Sequence, residues 1–355
     1  MRMQQSCSKK KMKMAPLPTI PENEEYVADV TDHGTHLDHD DGREKNGVRD
    51  KPGGARRKKK HDRRQVKIVA ATQNMRGLTT EADREEIRLQ MERQGIHLIC
   101  GQETWLRADQ SQQRWDTEEL FLNCGGTNTK KHDGVCFFLS PVAAKMFERG
   151  GRRLVKYCSR LATIRLQMKG GGDLYVINAH APDSGKNSAT REAFQRRLER
   201  ALRATKTKDV LLLMGDFNAS MGIADDDSGD GVLGMHGISH VNKAGQELEM
   251  LAAAHGLKDL VSQEEQAFYG TWMHPQSKKW HQLDKIFMRG SQSHMVNKCT
   301  NGEMLKVSDH YSVRLNVTLT ALPKPPITSR QKNNSRDLQA HFANAANEEM
   351  RRDKV

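Results

Sequence analysis

Asp209-Val-Leu-Leu-Leu-Met214-Gly215-Asp216-Phe217-Asn218 runs from an unbroken apolar stretch straight into two polar side chains. The apolar part reads as a buried strand. Side chains alternate along a strand, so Asp216 and Asn218 share one face at its end. A carboxylate and an amide delivered together by a rigid element make a place for holding and orienting something. Further along, Ser308-Asp309-His310 sets a second carboxylate beside an imidazole, just before another strand spanning 311–319. Each motif alone is weak; the two in this order read as a reaction centre.

Working outward, strands are expected at 66–72, 96–100, 134–139, 161–168 and 174–179, with short ones at 269–272 and 283–287. Thr80 can cap a helix over 81–94 that Gly95 stops. Ser188 or Thr190 opens a second helix to about 205, and a third covers 244–255 before Gly256. Helices alternate with strands, but several strands follow one another directly. That mixture argues for a mixed sheet, or two packed sheets, with helices outside.

The chain has 355 residues, with 36% hydrophobic and 29% charged content unevenly spread along it. Residues 1–64 lack periodicity and read as a disordered tail, 65–320 as the folded domain, and 321–355 as a polar tail after Pro323, Pro325 and Pro326. Formal charge is +12 with a pI near 9.4, which favours a polyanionic partner. Part of that charge is the run Arg56-Arg-Lys-Lys-Lys60 with Arg63 and Arg64, readable as a nuclear address, a phosphate-binding arm or a solvated cluster. Six cysteines (Cys7, Cys100, Cys124, Cys136, Cys158, Cys299) form no C-x-x-C pair, which points to a reducing, intracellular setting, nuclear or cytoplasmic. No run is long and apolar enough to insert into a membrane, and a monomer is expected. Asp226-x-Ser228-x-Asp230-Gly231 opens like a calcium loop, but its twelfth position is Gly237 rather than Glu, so it reads as an acidic surface loop.

Polar residues recur where strands end or begin: Asn74, Glu103, His180, Asp216 with Asn218, Asp284, and Asp309 with His310. Taken singly, each has an ordinary explanation as a turn residue, a surface carboxylate or a satisfied histidine. Jointly they match the tendency of α/β folds to gather ligands at strand ends.

Gln73-Asn74, Gln102-Glu103, Gly215-Asp216-Phe217-Asn218, Leu283-Asp284 and Ser308-Asp309-His310, in that order, resemble the endonuclease/exonuclease/phosphatase superfamily. Thr271-Trp272 and Trp280-His281-Gln282-Leu283-Asp284 look most like the AP-endonuclease-like domains of non-LTR retrotransposons and the related craniofacial-development-protein-2-like proteins. The resemblance implies a DNase I-like four-layer α/β sandwich, two mixed sheets with helices outside. It implies a Mg²⁺ or Mn²⁺ ion held chiefly by Glu103 with Asn74 and Asp309 close by, since hard cations take oxygen ligands. Asp216 would orient or deprotonate water, Asn218 would donate to a phosphoryl oxygen, and His310 would face the phosphate, held in its tautomer by Asp284.

Three positions depart from the family pattern. His180-Ala181-Pro182 stands where the family has Tyr-Ala-Pro, Asp183 where AP endonucleases carry asparagine, and Arg76 where repair enzymes have an aspartate. Arg160, Trp272 and Trp280 are candidate substrate contacts. The expected function is a metal-dependent phosphodiesterase acting on nucleic acid, foremost a double-stranded DNA endonuclease of retrotransposon ancestry. The alternatives are a non-catalytic DNA- or chromatin-binding derivative, or a hydrolase of phosphoinositide, sphingomyelin or RNA.

Overall fold

The computed structural model describes residues 65–107, 112–125, 132–168, 172–183, 185–225 and 231–320. The basic run, both tails, Cys7 and residues 226–230 of the calcium-like loop lie outside these residues. The chain builds β1 (Gln65–Asn74), α1 (Glu81–Arg93), β2 (Leu98–Gln102), β3 (Gln112–Arg114), β4 (Leu120–Asn123), β5 (Val135–Leu139), α2 (Pro141–Arg149), β6 (Leu154–Cys158), β7 (Leu161–Gln167) and β8 (Asp173–His180). It continues with α3 (Ser188–Arg203), β9 (Val210–Asp216), α4 (Lys243–Ala254), β10 (Leu257–Asp259), β11 (Trp272–Met273), β12 (Trp280–His281), β13 (Asp284–Arg289), β14 (Val296–Gly302) and β15 (Ser312–Thr320).

Two large sheets form, ordered β14-β15-β1-β2-β5-β4-β3 and β10-β13-β9-β8-β7-β6, with β11-β12 as a small separate ribbon. β1 runs parallel to β2 and β8 parallel to β9, while the other pairs are antiparallel, so both sheets are mixed. Their inner faces meet through Ile68, Ala70, Leu98, Phe137, Ile164, Val176, Leu212, Met214, Ile286 and Leu315. The alternate residues Leu211, Leu213, Ile177 and Phe287 face outward against Phe194 and Leu198 of α3 and Leu248 of α4. On the other side Ala71, Ile99 and Phe138 receive Ile87 and Met91 of α1. The result is the expected four-layer sandwich. It also explains the unbroken apolar run before Asp216, because β9 is covered on both faces.

Thr80 caps α1 in a reciprocal box with Asp83, while α3 is capped by Asn187 rather than Ser188 or Thr190. Sequence periodicity does not reveal β3, β4, α2, β6, β10, β12 and β14. α2 follows Ser140, its side-chain cap, and Pro141 at its first position, which marks a helix start although the helix is short. Its Ala143, Ala144, Met146 and Phe147 join the inner core. Among the described residues no helix is long and apolar enough to cross a membrane.

Candidate active site

The inner faces of the two sheets change character at one end. In β9 the inward series Leu212, Met214 continues into Asp216, and in β13 the series Met288, Ile286 ends at Asp284. In β8 Val176 is followed on the same face by Asn178 and His180, and in β1 Ala70 by Thr72 and Asn74. The site is therefore the polar end of the same seam that forms the core. Register brings its members side by side: Asp216 is paired with Asp284 on one flank and with His180 on the other. Gly215 lets β8 and β9 close at this point, since a Cβ there would lie 1.8 Å from the Ala179 carbonyl oxygen.

Below the cleft, a buried polar tie fixes one sheet against the other. Gln102 donates to Asn178 Oδ1 at 2.7 Å, and Asn178 donates to the carbonyls of Gly101 and Cys136 at 3.1 and 2.8 Å. Above it, Asn74 Nδ2 donates to Glu103 Oε1 at 3.0 Å and to Asp216 Oδ2 at 3.1 Å. Its Oδ1 accepts the Arg76 backbone N–H at 3.2 Å, which orients the amide with nitrogen toward the carboxylates. Asn74 thus joins Glu103 to Asp216 and does not present its oxygen to the space between them.

Several site residues hold left-handed backbone without being glycine: Arg76, Glu103, Trp105, His132 and Asn218. Each such residue costs on the order of 1 kcal/mol, and strain of this kind collects at functional clefts. It turns Glu103 toward Asn74 and two further neighbours, the Trp105 indole N–H and His132 Nδ1, each 3.2 Å from Oε2. Sequence reading missed both neighbours. Trp105 lay two residues beyond the Gln102-Glu103 motif; His132 carried no local signal.

His310 Nδ1 lies 2.8 Å from Asp284 Oδ2, and its Nε2 lies 3.9 Å from Asp216 Oδ2. Burial works against the imidazolium, but the Asp284 charge and hydrogen bond, helped by Asp216 and Asp309, raise His310 to about 9. Burial, followed by the Asp284 charge, raises Asp216 to about 6 in spite of His310, Asn74 and the Asn218 N–H. Two adjacent groups are thereby pushed to opposite sides of neutrality, one a basic carboxylate and the other a standing cation.

His180, 3% exposed, is driven well below its ordinary value by burial and by Arg160, whose Nη1 stands 3.3 Å from both ring nitrogens. Its Nε2 is 3.9 Å from Glu103 Oε1 and 4.0 Å from Asp216 Oδ2. Arg160 is in turn fixed by Asp133 at 2.6 Å, a partner that sequence reading did not single out. Asn218 donates Nδ2 to the Ala181 carbonyl at 2.9 Å, leaving its second amide hydrogen for another acceptor. Asp183 pairs with Lys186 at 3.3 Å and caps Gly185, so its charge is compensated locally.

Asp309, expected close to the metal, also has protein partners. Its Oδ2 accepts from Arg76 Nη1 at 3.0 Å and from the Trp272 indole at 3.2 Å, so a guanidinium already shares the carboxylate. Trp272 is at the cleft, bridged to His310. Trp280 is not on that side: Met273 is its cross-strand partner and Trp272 faces His281, which puts the two indoles on opposite faces of the ribbon. Trp280 packs on Phe268 and Tyr311 with ring centroids 4.8 and 5.6 Å away.

Glu103 fits a hard divalent cation, because its contacts are an amide, an indole and imidazoles and no Lys or Arg is paired with it among the described ion pairs. Asp309 is the neighbouring acid, shared with Arg76. A second set, Asp216, Asp284 and His310, brings its ligand atoms within 4.8 Å of one another. A cation there would have to displace the proton that the Asp284 charge and hydrogen bond favour on His310. Without one, the same three groups can hold and move protons.

Comparison with known proteins agrees with this geometry. The profile of the Endonuclease/Exonuclease/phosphatase family matches residues 71–310, well over half of the chain and all of the site. The chain belongs to that family. Among solved structures, the family fold recurs in AP endonuclease LMAP from Leishmania major, 14% identical over 71% of this chain and 88% of that one, with a TM-score of 0.54. The 3′ phosphatase NExo from Neisseria, bound to a product DNA hairpin, is 15% identical over 70% of this chain and 99% of its own, with a TM-score of 0.52. The endonuclease domain of TRAS1, a telomere-specific non-LTR retrotransposon, superposes at 0.49 with 12% identity over 71% of this chain and 98% of that one. That last superposition is too loose to set one branch of the family above another. No curated protein matches the chain.

Proposed function

We propose that the chain is a metal-dependent phosphodiesterase that hydrolyses nucleic acid, acting as a monomeric endonuclease on double-stranded DNA. The observation that carries this reading is the pairing of His310 with Asp284 at 2.8 Å beside Asp216, with His310 raised to about 9 and Asp216 to about 6. At neutral pH Asp216 is an ionised carboxylate basic enough to accept a proton from water, and His310 is a cation ready to face a phosphate.

A phosphodiester seated between His310 and Glu103 would have one non-bridging oxygen against the His310 Nε2–H. The spare amide hydrogen of Asn218 and a neutral His180 would reach the same oxygens as charge builds on them. Water adds to phosphorus as its proton passes to Asp216, and the P–O ester bond on the far side breaks, its electron pair going to the leaving oxygen, which takes a proton from solvent. A Mg²⁺ or Mn²⁺ ion bound at Glu103, with Asp309 beside it, would supply charge neutralisation at the phosphate. Burial, helped by the Arg160 charge, keeps the His180 imidazole neutral, so that ring donates through one hydrogen and does not compete with Asp216 for the water proton.

Nucleic acid is favoured over a lipid or sugar phosphate by the net charge of +12 and the basic run at 56–64, which also favours a nuclear location. The test is incubation with supercoiled plasmid in Mg²⁺ and in EDTA, alongside His310→Ala. Nicking that needs the metal and falls at least about a hundredfold in the variant supports the reading. Nicking that His310→Ala leaves intact would overturn it.

A further inference from the structure

Residues 305–310 carry Asp309 and His310 and form one wall of the cleft, and they are fastened at almost every position. Gln73, on the face of β1 away from the seam, accepts from the Leu305 N–H at 2.7 Å and donates to the carbonyls of Lys306 and His310 at 2.9 and 3.0 Å. Lys306 Nζ donates to the Gly77 carbonyl at 2.8 Å and pairs with Asp83 at 3.2 Å. Ser308 Oγ donates to the Asn74 carbonyl at 2.7 Å and accepts from the His310 N–H at 3.2 Å. Asp309 is held by Arg76 and Trp272.

Between these fastenings Val307 is held out to solvent, 79% exposed, the most exposed large apolar side chain among the described residues. Single exposed apolar residues are common and need no explanation when they ride on a loose loop. Here the backbone on both sides is pinned, and a β-branched side chain has little rotamer freedom left to lose. A contact made by Val307 would be made at little ordering cost. Three residues from His310, it lies within about 10 Å of chain, which is about three nucleotides of rise along a strand whose phosphate is bound there.

On the reading that the site takes nucleic acid, we propose that Val307 is an apolar wedge resting on the sugar and base edge of the nucleotide beside the bound phosphate. It would be a determinant of duplex affinity that acts outside the chemistry. Apolar side chains used against sugars and base steps in this way are a recurrent feature of duplex-binding proteins.

The experiment is fluorescence anisotropy of the full chain with a fluorescein-labelled duplex oligonucleotide in EDTA, comparing the unsubstituted protein, Val307→Ser and Val307→Ile over a salt series. Val307→Ser should weaken binding about tenfold at every salt concentration, while Val307→Ile stays within about twofold. The slope of log affinity against log salt should be the same in all three, because no charge is removed. Equal unfolding midpoints exclude a folding defect. Binding by Val307→Ser equal to that of the unsubstituted chain overturns the wedge and leaves the nuclease reading standing. Failure of the unsubstituted chain to bind duplex also overturns the wedge, while the nuclease reading is decided separately by metal-dependent nicking.

Discussion

His310 Nδ1 and Asp284 Oδ2 are 2.8 Å apart, and the contact is buried at the polar end of the inter-sheet seam. A buried carboxylate at that distance both fixes the orientation of the ring and favours its charged form. Asp284 lies on β13 directly across from Asp216 on β9, so a single acid tunes two groups of opposite role.

The first prediction is a pH profile. Asp216 must be ionised, so activity is lost as pH falls through about 6; His310 must be protonated, so activity is lost as pH rises through about 9. Plasmid nicking should follow a bell with its plateau between those values. In Asp284→Asn the charge that raises both groups is gone, so both limbs should move to lower pH. A profile whose limbs move apart or stay fixed would contradict the shared role of Asp284.

The second separates metal from proton transfer. Asp216→Asn should bind duplex and Mn²⁺ as the parent does and lose at least about two orders of magnitude in rate, because its contribution is made in the transition state. Glu103→Ala should instead raise the Mg²⁺ concentration needed for half-maximal nicking. Titrations in which the two variants behave alike would remove the assignment of Glu103 as the metal's main oxygen donor.

The third concerns stability rather than chemistry. Lys285, 1% exposed, holds Asp259 Oδ2 at 3.0 Å on the outer face of β13. Asp259 remains buried if the ammonium is removed, so Lys285→Met should lower unfolding stability by about 3 kcal/mol. Urea denaturation monitored by tryptophan fluorescence measures it, and a loss below about 1 kcal/mol would show that Asp259 finds compensation elsewhere.

The fourth tests the basic run. Removal of residues 1–64 should weaken duplex binding at low salt and flatten the dependence of log affinity on log salt, with the rate at saturating DNA unchanged. An unchanged slope together with lost nuclear accumulation would make the run an address. If neither changes, it is a solvated charge cluster.

Much of this site was legible before any coordinates, because the signal is a phase. Asp216, Asn74 and His180 each continue the inward alternation of their own strand, and alternation is a property of sequence. The left-handed turns at Glu103 and Asn218 could not be read, since neither residue is glycine. Nor could the company each group keeps. The amide of Asn74 is expected to offer oxygen to a cation, and its sequence does not announce that this oxygen also accepts the backbone N–H of Arg76, two residues on. Asp309 is expected close to the metal, and nothing in its own segment announces its ion pair with Arg76, more than two hundred residues earlier in the chain. Trp280 was grouped with Trp272 by motif, and only the pairing of a two-residue ribbon, too short to display alternation, reveals that they face apart.

β1 lies between β2 and β15 in its sheet, and Gln73 reaches from it to clasp the segment leading into the last strand. A chain emerging from the ribosome therefore exposes Asn74, Glu103 and Asp216 well before His310 exists to complete them. Domains fold as their parts emerge, but a pairing between the first strand and the last must wait for the last. On the proposed reading, a half-made copy lacks the His310 side of the cleft, and synthesis itself delays its completion until β15 pairs with β1.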